Sequence, residues 1–87
     1  MICRIATFDK KPEMPEERIQ GFRAWMMSQP GIKAHYHVYD PKTDKGMSIS
    51  FWESLEHLLA MKDRVPPGGA MGLKPSSVEI FPVVVES

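Results

Sequence analysis

His35 and His37 are the residues whose spacing first suggests chemistry. Two imidazoles at i and i+2, inside the strand-like run of residues 32–39, point the same way and could share a metal ion or a proton. Lys33 and Tyr39 share their face in this reading, and Ile32, Ala34, Tyr36 and Val38 take the side that faces the helices. With the next strand in the same phase, Ser48, Ser50 and Trp52 stand beside the imidazoles, and Arg4 comes close from the first strand. No Cys, Asp or Glu accompanies the histidines at zinc-ligand spacing, so neither a metal nor a cofactor is expected. A second group is Thr7, Phe22, Met26, Tyr36, Phe51 and Met61. Methionine and aromatic side chains adapt to flat hydrophobic ligands, and Thr7 and Tyr36 could give such a pocket its few polar contacts. The same residues also read as an ordinary core. Gly21 inside a helix costs about 1 kcal/mol relative to alanine, which favours a cavity or a close contact there.

The elements that must position these side chains follow from pattern and punctuation. Residues 2–8 read as a strand, and a turn-forming run follows at residues 9–14. Pro15 suits the first helical position, Glu16 and Glu17 suit the positive first turn, and Ile19, Phe22, Trp25 and Met26 form an apolar stripe. Gln29-Pro30-Gly31 ends that helix. Strands at about 32–39 and 47–52 flank a polar loop of about seven residues, 40–46, that contains Pro41 and ends in Gly46. Ser54 caps a second helix carrying Leu55, Leu58, Leu59, Met61 and Val65, with His57 on its surface; it stops before Pro66-Pro67. Residues 66–77 form a proline- and glycine-rich loop, expected to be the most mobile internal segment, and a last strand spans residues 78–85.

The order β-α-β-β-α-β is a ferredoxin-like unit: an α+β fold with a four-stranded antiparallel sheet, strand order 4-1-3-2, and both helices on one face. Residues 1–87 form one domain. Two helices cover one face of a sheet roughly 19 Å wide and leave the other open. Yet Val78-Glu79-Ile80-Phe81-Pro82-Val83-Val84-Val85 is apolar on both sides for most of its length, so the open face is expected to be covered.

Composition narrows the function classes. Eleven basic and eleven acidic residues in 87 give a formal net charge of zero, which removes the long-range field on which nucleic-acid and anionic-membrane binders rely. A chain this short buries only about 60–65% of its unfolded surface, so stabilisation by a partner subunit is a natural expectation. The lone Cys3, expected on the helix-facing side, forms no internal disulfide, and no signal-like or membrane-spanning stretch is present; the expected location is cytoplasmic.

Pro30-Gly31-Ile32, the hairpin from Asp40-Pro41 to Gly46, and Met47-Ser48-Ile49-Ser50-Phe51-Trp52-Glu53-Ser54 leading into the second helix are similar to the dimeric α+β barrel superfamily. Within it, the chain resembles the antibiotic-biosynthesis-monooxygenase-like domains. The resemblance implies a homodimer, two sheets packed face to face with helices outside, and one cleft per subunit between sheet and helices. Arg4, His35, His37 and Trp52 are then expected at the dimer interface, where burial would lower the histidine pKa values and Trp52 would act as an anchor. Thr7, Phe22, Met26, Tyr36, Phe51 and Met61 are expected around a small hydrophobic or planar ligand. Two functions stay open: a binding module without chemistry, and a cofactor-independent monooxygenase or isomerase acting on a small aromatic substrate. The haem-degrading pattern is not met, because Thr7 and Met61 stand where such relatives carry asparagine and tryptophan, and no histidine follows His57. The central strands lack the basic and aromatic signature of RNA-recognition modules. No Cys-x-x-Cys is present for copper carriage.

Overall fold

The computed structural model describes residues 1–9, 15–65 and 74–84. Four strands, β1 (Ile2–Phe8), β2 (Ile32–Asp40), β3 (Lys45–Trp52) and β4 (Ser77–Pro82), and two helices, α1 (Glu16–Met27) and α2 (Leu55–Leu59), follow one another as β-α-β-β-α-β. The sheet is antiparallel with order β2-β3-β1-β4, the arrangement read from the sequence and compatible with a ferredoxin-like fold. Among the described residues no helix is long and apolar enough to cross a membrane. Of the loop expected to be mobile, residues 66–73 lie outside the described residues; Ser76 is tied to the Thr7 carbonyl through its backbone N–H at 2.7 Å and its hydroxyl at 3.0 Å.

The helices begin where their chemistry allows. Pro15 precedes α1, its carbonyl accepting from the Arg18 and Ile19 N–H groups, and Glu16 accepts from the Gln20 amide one turn on. Ser54 caps α2 by accepting from the His57 N–H. The second helix is shorter than its apolar pattern suggests. After Leu59 it tightens into a 3-10 turn, Ala60–Asp63, because only Leu58 is fully buried and little packing supports further α turns. Leu55, Leu59 and Val65 stay exposed.

Gly31 is the residue that seats α2 against the sheet. Its φ is +84°, a left-handed value that suits glycine, and a Cβ there would overlap the His57 ring. Its carbonyl accepts from the Glu53 N–H at 2.7 Å. The β2-β3 hairpin is tighter than expected: Asp40 already pairs with Lys45, which leaves a loop of four residues, 41–44. Asp40 accepts from the Lys42 N–H, Asp44 adopts φ 56°, and the Tyr39 hydroxyl donates to Asp44 at 2.6 Å; these local bonds close the turn early.

The main correction concerns which face of the sheet the helices cover. Directly paired residues share a face, and the rows Ile80-Arg4-Ser50-His35 and Val78-Ala6-Ser48-His37 therefore lie on one side. Phe22 of α1 sits on that side, 5.8 Å from the His35 ring and 6.0 Å from His37, and Trp52, Ser50, Ala6 and His35 are buried there. Arg4, His35, His37 and Trp52 thus lie on the helix side of the sheet rather than on the open face, with His37 still exposed at its margin. Cys3, Thr7, Tyr36 and Phe51, expected beneath the helices, occupy the open face instead, with Ile5, Val38, Met47, Ile49 and Phe81. A register shift between Ile32 and Ala34 pairs Ile32 with Trp52 and Ala34 with Phe51, so these two residues, expected on one face, do not share it.

Candidate functional site

Between α1, α2 with its 3-10 turn, and the sheet lies a cleft of about 700 Å³, within the range of small-molecule sites. Its floor is strand side chains: Arg4 from β1, Ser48, Ser50 and Trp52 from β3, and Ile80 from β4. Phe22, Trp25 and Met26 wall it from α1; Leu58, Leu59 and Met61 wall it from the other side, with Lys62 and Arg64 beside them. Strand and helix periodicity explain the set. Residues 48, 50 and 52 project from one face of β3, and residues 22, 25 and 26 form one stripe of α1.

The floor is polar and ordered. The Trp52 indole N–H donates to the Ser50 hydroxyl oxygen at 2.9 Å, and both side chains are buried. His35 Nε2 lies 3.1 Å from the Ser48 hydroxyl, while buried His35 Nδ1 has no hydrogen-bond partner. A buried N–H without an acceptor costs more than a bare lone pair, so the proton sits on Nε2 and is donated to Ser48. His37 stacks edge-on to His35 with centroids 4.7 Å apart. Burial, above all, holds His35 down to about 4, with repulsion from His37, Arg23 and Arg4 adding to it. His37 is lowered by burial and then by Arg23. The lowering matches the sequence expectation in direction, but its source is α1 lying over the imidazoles, not a dimer seam.

Arg4 is half-buried on a central strand, and burial lowers its pKa. Arg64 is held in place, donating to Gln29 Oε1 at 3.0 Å and contacting the Met61 sulfur. No acidic side chain lines the cleft among the described residues, and no three His, Cys, Asp or Glu groups converge there into a metal-binding cluster.

Of the expected ligand residues, Phe22, Met26 and Met61 line this cleft, whereas Thr7, Tyr36 and Phe51 are on the opposite face of the sheet. The sequence reading missed Arg4, Ser48, Ser50 and Trp52 as cleft residues, although it grouped them correctly on one face. The signal that could have found them is Trp52, whose large side chain on the polar face needs cover within the chain. Cys3 is buried between strands of the open face, and burial raises its thiol pKa, so it is not a ready nucleophile. No protein-family model matches this chain, and no curated protein is significantly similar to it.

Proposed function

We propose that the protein is a homodimeric small-molecule-binding domain of the antibiotic-biosynthesis-monooxygenase-like type, whose cleft takes a small hydrophobic or planar ligand. The observation that carries this reading is the 700 Å³ cleft, walled by aromatic, leucine and methionine side chains over a polar floor. Both tryptophans of the chain line it, so binding should alter their fluorescence. Titration with naphthalene-type probes tests the reading directly. Saturable quenching in the micromolar range supports it, and no change up to the solubility limit of every probe counts against it.

The dimer rests on the open face. Tyr36 is 56% exposed, Phe81 47%, Val38 47% and Met47 40%, and these large apolar side chains share one face of the sheet. A sheet about 19 Å wide and 20 Å long, packed on a second copy, would bury on the order of 1,000 Å², enough for a specific contact. Sedimentation equilibrium should therefore find a dimer at micromolar concentration, and Tyr36→Lys with Val38→Lys should weaken it at least tenfold. Finding wild-type protein at 9.9 kDa throughout that range would reject the barrel.

A second reading, a cofactor-independent monooxygenase or isomerase on a small aromatic substrate, is favoured by one feature. His35 and His37 lie on the helix side of the sheet, and His35 Nε2–H donates to the Ser48 hydroxyl that lines the cleft, so a proton-donating chain runs from the imidazole to where a substrate would lie. Oxygen consumption in the presence of a bound phenolic probe, lost in His35→Gln, would favour the enzyme over the binding module.

A further inference from the structure

We propose that the ligand of this cleft is a small carboxylic acid, its carboxylate taken by Arg4 and the Ser48 and Ser50 hydroxyls, its apolar body held by Phe22, Met26 and Met61. The inference rests on reading the cleft as a binding site, and goes further by fixing the chemistry of the ligand's head. Three observations point to an anion.

First, Arg4 lines the cleft floor half-buried, and no carboxylate or other hydrogen-bond partner engages it among the described residues. A guanidinium drawn partly out of water without a counter-ion is costly, and a bound carboxylate would meet its paired N–H donors. Second, both floor hydroxyls are already used as acceptors from inside the protein. Ser50 Oγ accepts from the Trp52 indole and Ser48 Oγ accepts from His35 Nε2, so each O–H proton is left to be donated elsewhere. The orphan at His35 Nδ1 supports this polarity, because it places the imidazole proton on the nitrogen facing Ser48. Third, the charges lining the cleft among the described residues are Arg4, Lys62 and Arg64, all cations. The floor thus holds a cation and two hydroxyls whose O–H protons are not used by His35 or Trp52, an arrangement matched to oxygen acceptors bearing negative charge.

Arg4 is the one cation on the cleft floor, whereas Lys62 and Arg64 are exposed at its wall, and one half-buried guanidinium suits one negative charge. A phosphate dianion would need more compensation than this floor offers once water is expelled.

The probes are naphthoate and its uncharged amide, which have nearly the same shape and differ in the charge of the head. Wild-type protein should bind naphthoate at least tenfold more tightly than the amide, and added salt should weaken only the acid. Arg4→Met should bring naphthoate down to the affinity of the amide while leaving the amide unchanged, and Arg4→Lys should keep part of the preference. The acid-to-amide ratio in wild type needs no variant to fold. Equal affinities there would overturn the carboxylate assignment and leave the cleft standing as a binding site; binding of neither probe would overturn both.

Discussion

Trp52→Ala should lower folding stability by about 3–5 kcal/mol, the usual cost of removing a large aromatic from a core. Trp52 is 1% exposed, the largest wholly buried side chain described, and its indole N–H is spent on Ser50. The substitution would leave a void between the sheet and α2 and free a buried hydroxyl. A chain of this size has a total stability near the low end of the roughly 5–15 kcal/mol range, so the variant should be largely unfolded or close to it. Trp25, half-buried at the cleft wall, is the internal comparison, and Trp25→Ala should cost about 1–2 kcal/mol. Urea unfolding followed by far-UV circular dichroism separates the two. Equal losses would show that Trp52 does not anchor the core. The sequence reading placed Trp52 as a dimer anchor; its burial within one chain makes it a folding anchor instead.

Acid should destabilise the protein through His35. The imidazole takes its proton near pH 6.5 in the unfolded chain and only at about 4 in the folded one. Between those values the unfolded state binds more protons, so stability is full above about pH 6.5, declines as pH falls, and is wholly lost from this group near pH 4. The displacement corresponds to at most about 3 kcal/mol, because solvent beside the imidazole screens part of it, and His37 acts in the same direction. Besides burial, the groups acting on His35 are its β2 neighbour His37, Arg23 from α1 and Arg4 from β1, and Arg23 acts on His37 as well. His35→Gln keeps an amide able to donate to Ser48 but cannot titrate. The difference in unfolding free energy between wild type and this variant should therefore be flat from about pH 8 to 6.5 and then slope downward in acid. A difference that stays constant down to about pH 4 would mean that the imidazole is open to water or paired with an acid in the folded protein.

The element order, the bounds of β1, the strand order and the Ser54 cap were all legible, because each rests on local chemistry: β-branched runs, prolines and glycines at breaks, a hydroxyl before a helix. Which face of the sheet the helices would cover was not. Ala34, Tyr36 and Val38 are more apolar than His35 and His37, and the rule that apolar residues turn inward assigned them to the helices. That rule presumes one buried face. Here the polar row on the helix side is held in part by the His35–Ser48 and Trp52–Ser50 hydrogen bonds and covered by Trp52, Phe22 and Leu58, while the apolar face is left outward, a preference that a single chain's alternation does not encode. Half of the cleft was legible for the same reason: Phe22, Met26 and Met61 lie on helical segments whose inward side follows from periodicity. Thr7, Tyr36 and Phe51 depended on the strand phase and went with it.

The order of the strands also sets the order in which the sheet can be completed. β2 and β3 are joined by four residues and can pair as soon as both exist, whereas Ile2 finds its partners only in Trp52 and Pro82. Of the four strands, a ribosome therefore makes first one of the two central ones, β1, and last its outer neighbour, β4. Throughout synthesis β1 carries ladder groups with nothing on one side or on both, and the chain's slowest contacts are those that close over its own beginning.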